Sequence, residues 1–188
     1  MELALEEKNN IICDKYDIIL YKLGKADQYS IRLSCYNNKY DLIKVLNYNL
    51  YKLLGELNLD LIERIDVSDE NNEDTRDILF LFKSFGRELG LLKKYMFIST
   101  RREEANNTII FRSVDKENTV FNGSKKYEKI TCYKSELIFK IINKHKIDIV
   151  YNFHIDLHED LPKYMENLIG ILMKKVLFRL KIFIEKME

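Results

Sequence analysis

Apolar positions along this chain follow two periods, and the changes between them mark its elements. Residues 16–38, YDIILYKLGKADQYSIRLSCYNN, carry two alternating apolar runs on either side of LGKADQ. That pattern predicts a hairpin turning at Gly24, where the missing Cβ admits left-handed backbone. From Lys39 the period lengthens. In KYDLIKVLNYNLYKLLGEL, Leu42, Leu46, Leu50, Leu53 and Leu57 recur at steps of three and four, on one face of a helix that Asn37 or Asn38 is placed to cap. A strand fragment is expected at 61–67, followed by an acidic, solvated loop over Asp69–Asp74. A second helix is expected from Asp74 or Thr75 to about Leu92, with Ile78, Leu81, Phe82, Phe85 and Leu89 as its apolar face.

The stretch KKYMFISTRREEANNTIIFRSVDKENTVFNGSKK, residues 93–126, returns to alternation and predicts strands near 95–100, 107–114 and 119–122. EKITCYKSELIF, 128–139, predicts a further strand, but its tail also fits a short helix, so residues 134–146 stay open between the two. KIDIVYNFHIDL is a strong strand pattern. Pro162 stands near the first turn of a final helix running from about Glu159 to the C-terminus, where its missing N–H costs little. The order predicts an α+β fold, with helices on one face of an antiparallel sheet and a long C-terminal helix. The expected organisation is an α+β domain over 1–146, then a strand and helix over 147–188 that would open a second α/β unit.

The terminal helix changes the functional picture. Leu161, Met165, Leu168, Leu172, Val176, Leu180, Phe183 and Met187 form one stripe at helical spacing, and Ile169, Ile171, Leu177, Phe178, Ile182 and Ile184 lie off it. A helix covering only its own sheet needs one apolar face. This one would extend roughly 40 Å, beyond a small sheet. Lys174, Lys175, Arg179 and Lys181 interrupt it, which excludes a membrane span. The surplus face, with Ile169, Leu172, Val176, Leu177, Leu180, Phe183 and Ile184, therefore predicts a surface for another protein, unless a further part of the same chain covers it.

Composition narrows the partners. With 31 basic and 30 acidic residues among 188, the net charge is +1, which disfavours a general electrostatic grip on nucleic acid or membrane. Lys93, Lys94, Arg101, Arg102, Lys125 and Lys126 fall at strand ends or turns and could gather as a local basic patch, although Glu103 and Glu104 dilute it. Cys13, Cys35 and Cys132 form neither a disulfide framework nor a zinc pattern, and fit a reducing compartment. MELALEEKNN lacks the marks of a signal peptide, so cytoplasm or nucleus is expected.

Candidate chemistry is sparse. In HIDLHED, strand alternation puts His154, Asp156 and His158 on one side, a partial metal set that also describes the wet face of a strand. Cys132 could pair with His145, His154 or His158, but equally reads as a small buried hydrophobe. No carboxylate pair stands out. The expectation is a non-catalytic protein with no cofactor.

The order of elements resembles the large α/β scaffold subunit of the actin-related protein 2/3 complex. YDIILYKL, YSIRLSCY and KYMFISTRREEANNTIIFRSVDKENTVFNGSKK are similar to its first domain, and DIVYNFHIDLHEDLPKYMENLIGILMKK to the strand and helix opening its second. This chain is shorter, compresses the inter-domain segment at 134–147 and lacks the family's basic C-terminal extension. The resemblance implies a scaffold subunit of an actin-nucleating complex that joins other subunits, including actin-related proteins, through the long helix rather than by gripping a filament. Two other readings stand beside it. NTIIFRS and NTVFNGSKK are similar to the sheet of TATA-binding proteins, implying a nucleic-acid or transcription-associated module. The element order also fits a helix-grip ligand-binding domain, in which a sheet wraps a long C-terminal helix around an apolar cavity.

Overall fold

The computed structural model describes residues 10–24, 27–68, 74–84, 93–118, 126–158 and 165–188. Ten strands pair into a single sheet among them. They are β1 (Ile11–Lys15), β2 (Ile18–Lys22), β3 (Gln28–Tyr36), β4 (Ile62–Val67), β5 (Thr75–Phe82), β6 (Lys93–Ala105), β7 (Thr108–Asp115), β8 (Tyr127–Lys129), β9 (Thr131–Asn143) and β10 (Lys146–Asp156). The spatial order is β1-β2-β3-β10-β9-β7-β6-β5-β4, antiparallel throughout, with short β8 parallel to the start of β6. A 3-10 turn at Leu42–Val45 and helix α1 (Asn49–Leu57) follow β3, and helix α2 (Leu168–Lys186) ends the chain. The architecture is α+β, as the periodicity predicts.

Local chemistry explains the turns. β1 and β2 are joined through Tyr16 and Asp17, and β6 and β7 through Asn106 and Asn107; all four have positive φ. Two-residue turns of that hand match the twist of the paired strands, and Asn and Asp tolerate it through local side-chain bonding. Gly24 has φ +72° at the start of the β2–β3 turn.

Three expectations change. The first helix divides: Asp41 caps the 3-10 turn through its carboxylate, and α1 begins only at Asn49. The expected helix from residue 74 is strand β5 as far as Phe82, Lys83 and Ser84 follow without helical structure, and residues 85–92 lie outside the described residues. Ile78, Leu79, Phe80 and Leu81 are all buried there, because β5 is covered on both sides. Ile78 and Phe80 join the main core, while Leu79 and Leu81 join Tyr95 and Tyr127 in a small core on the opposite face. Residues 134–146 resolve mostly into strand, since β9 runs unbroken to Asn143. The expected strand at 119–122 lies outside the described residues.

Helix α2 is held at both ends. Tyr29 Oη donates to the Glu166 carbonyl at 2.9 Å just before the helix. At the far end, Asn37 Nδ2 donates to the carbonyls of Ile184 and Met187, both at 2.8 Å, satisfying acceptors that a helix terminus leaves open. Between them Val176, Leu177, Leu180 and Ile184 are buried, each worth roughly 2 kcal/mol of apolar transfer. Arg179 and Lys175 bond to Asp60, beyond the end of α1, and Arg179 also reaches the Asn58 side chain. These donors hold the partly exposed Asp60 carboxyl well below the usual carboxylate range.

Candidate functional site

Alternation along each strand sends one set of side chains toward the helices, and register aligns those sets into rows. One row runs Phe111, Leu137, Tyr151, Ile31 across β7, β9, β10 and β3. The next row contains Thr100, Ser113 and Ser135 on β6, β7 and β9. That second row continues into the large rings of Phe153 and Tyr29 on β10 and β3, but its β6, β7 and β9 positions carry only small side chains. A crevice remains between the layers.

The walls of this crevice are apolar. Leu54 of α1 and Ile169, Leu172, Met173, Val176 and Leu177 of α2 face Phe80, Met96, Ile98, Leu137 and Ile155 of the sheet. Its polar contributors are Tyr51, Ser113, Ser135 and Tyr151; no charged side chain lines it among the described residues. All the space not filled by atoms there, including its open side, is about 990 Å³, while the centre of a water-sized sphere has about 90 Å³ to move in. The void is not roomy.

The hydroxyls form a connected set. Thr100 Oγ1 and Ser113 Oγ lie 2.9 Å apart. The Tyr51 phenol interacts with Ser113 and Thr100, and the Tyr151 phenol with Ser135. Burial pushes both phenols well above their usual range, so they remain neutral. Burial also pushes the Cys132 thiol up to about 11, against a smaller opposing effect of its bond with Ser135. A protonated, buried thiol is a poor nucleophile, which removes the footing of a Cys–His pair.

The helix residues singled out in the sequence do not form an outward docking face. Ile169, Leu172, Val176 and Leu177 line the crevice, Leu180 and Ile184 are fully buried, and Phe183 packs partly buried against the core. The apolar circumference is real, but the sheet and α1 of the same chain cover much of it.

The basic residues fall into two places: Lys93 and Lys126 both lie over the Tyr127 ring, while Arg101 and Arg102 stand at the other end of β6. Lys93 and Arg101 lie on one strand about 26 Å apart at the usual strand rise. Lys94 is buried, with Nζ 2.6 Å from Glu128. Lys93 pairs with Glu63, Arg102 with Glu104 and the Leu46 carbonyl, and Arg101 lies 4.0 Å from Glu103. Lys126 sits over the Tyr127 ring, and Lys125 lies outside the described residues. His154 lies against Tyr133, with ring centres 4.5 Å apart and ring planes tilted by 39°. His158 has turned to positive φ and bonds Thr131 Oγ1 and Asp156. Among the described residues no group of three metal-ligating side chains comes together.

Sequence reading missed Tyr51, Ser113 and Ser135. A serine at an alternate strand position looks like part of a wet face, and only register shows it beneath a helix.

The sequence matches no family model and no curated protein. Its fold has extensive counterparts. The human StarD13 (DLC2) lipid transfer and protein localization domain superposes with a TM-score of 0.71 at 13% identity, over 99% of this chain and 96% of that one. Human STARD10 gives 0.70 at 12% identity, over 90% of this chain and 71% of its own. Human StAR-related lipid transfer protein 5 gives 0.69 at 10%, over 95% and 87%. These likenesses overturn the resemblance to an actin-nucleating scaffold subunit, and with it the expected actin-related partners. Burial of the helix inside this chain removes the surface on which the scaffold reading stood.

Proposed function

We propose that this chain, folded like the StAR-related lipid transfer domains, is a non-catalytic module that binds an apolar, lipid-like molecule between α2 and the sheet. The observation that carries the reading is the crevice, whose apolar walls come from both layers and whose hydroxyls gather at one place on the floor. Such a lining takes up an apolar body and uses a few polar groups to orient it. With only about 90 Å³ open to the centre of a water-sized sphere, the crevice is small for a lipid, so binding requires widening. Met96 and Met173 line the crevice, and unbranched, polarizable side chains of this kind repack easily. The lipid-transfer descriptions of the structural neighbours point the same way.

The test is to purify the chain from its own cells, extract it with organic solvent and identify co-purifying small molecules by mass spectrometry. Binding of the fluorescent apolar dye N-phenyl-1-naphthylamine is measured in parallel. Stoichiometric lipid, or saturable dye binding that lipid reverses, supports the proposal. A folded protein that extracts empty and leaves the dye dark sinks it.

A further inference from the structure

We infer that the molecule bound in this crevice is an electrically neutral lipid bearing a hydroxyl or carbonyl group, which docks on the lining hydroxyls of Tyr51, Ser113, Ser135 and Tyr151. This rests on the binding reading above and specifies what it binds. The first argument is charge. A phosphate, carboxylate or ammonium drawn between the layers would leave water with no opposite charge to meet it, since the described lining is uncharged. Surface ion pairs abound elsewhere on this chain, so their scarcity here is local.

The second argument is hydrogen-bonding capacity. Each hydroxyl is both donor and acceptor and can turn to suit either an alcohol or a carbonyl. Ser113 and Ser135 are nearly inaccessible and adjoin each other across paired strands, with Thr100 on the next strand bonded to Ser113. The two phenols reach them from different elements, Tyr51 from α1 and Tyr151 from β10. The third argument is direction. The hydroxyls belong to the sheet and α1, while α2 lines the crevice only with apolar side chains, so a ligand with one polar end would point it at the floor and lay its apolar body along Ile169, Leu172, Met173, Val176 and Leu177.

A matched pair of probes tests this: oleyl alcohol and oleate share one hydrocarbon chain and differ in head charge. At mildly alkaline pH, where oleate is ionised, each is titrated against bound N-phenyl-1-naphthylamine. The alcohol should displace the dye at a concentration at least about tenfold lower. Ser113→Ala combined with Ser135→Ala, and separately Tyr51→Phe, should weaken the alcohol by about three- to tenfold while dye affinity holds, the dye's retention reporting an intact crevice. Equal displacement by oleate, or variants that leave the alcohol unaffected, would overturn the inference and leave the binding reading intact. Failure of the unmodified chain to bind dye would overturn the binding reading itself.

Discussion

The ring of Tyr29 lies so close beneath Gly170 that a Cβ added there would come within 2.8 Å of Cδ1 and 3.0 Å of Cε1. The ring is not free to swing aside, because its hydroxyl is bonded to Glu166 just before the helix. Leu20 stands 3.3 Å from the same point. Glycine inside a helix costs about 1 kcal/mol relative to alanine, so on propensity alone Gly170→Ala should stabilise. The contact decides otherwise. Gly170→Ala is expected to lower unfolding free energy by about 1–2 kcal/mol in urea denaturation. A gain in stability would show that the helix rides higher over β3 than the structure places it.

Asn37 uses its whole side chain. Nδ2 caps α2, and Oδ1 accepts from the backbone N–H groups of Lys39 and Tyr40 at 2.9 Å. Asn37→Asp removes both donors and sets a carboxylate against the negative end of the helix. A loss of about 2–4 kcal/mol is expected. Faster amide exchange should appear in the last turn of α2. Exchange that quickens only in the 39–42 turn would separate the two roles of Asn37 and limit the cap.

Burial raises Cys35 from 9.0 to about 12, Cys132 from 9.0 to about 11 and Tyr29 from 10.0 to about 12. Each group therefore binds its proton more tightly folded than unfolded. Their stabilising contribution is complete below the unfolded values and is lost as pH rises through 11 to 12. The urea midpoint should hold level to about pH 9 and then fall. Cys35→Ala, despite its lower starting stability, should make the fall shallower. An unchanged alkaline slope in that variant would place the titration elsewhere.

The chain has no tryptophan, which makes Leu172→Trp a single reporter inside the crevice. Its emission should lie to the blue of an unfolded control, and its bulk should reduce dye binding. Stability should change by less than about 1.5 kcal/mol if the added volume enters existing space. Emission like that of the unfolded chain would place residue 172 in solvent and remove this wall of the site.

Much of the sheet was legible, because strands with one wet face announce themselves by alternation. β6, β7 and β10 have that character, and so does the paired hairpin of β2 and β3. β5 was not legible: with Ile78 to Leu81 buried on both sides, alternation vanishes and a continuous apolar run admits a helix as easily. The apolar girth of α2 could be read from its residues, but not what covers it. Whether that cover is another chain or this one depends on how far the sheet extends around the helix, and no single segment contains that information. The hydroxyl cluster was hidden for the same reason. Ser113 and Ser135 become neighbours only through the pairing of β7 with β9.

The pairing of β3 with β10 has a consequence for how the chain is made. Tyr36 meets Lys146 and Gln28 meets His154, partners more than a hundred residues apart, at the middle of the sheet. During synthesis the N-terminal strands emerge early, yet one side of β3 has no partner until residues 146–156 have left the ribosome. Closing so long a loop is slow, since its entropy is lost before the contacts repay it. Until then β3 exposes a bare edge on which another chain can pair. The last quarter of the chain brings both the strand that covers that edge and the helix that roofs the crevice, so assembly of the sheet and formation of the site are one late event.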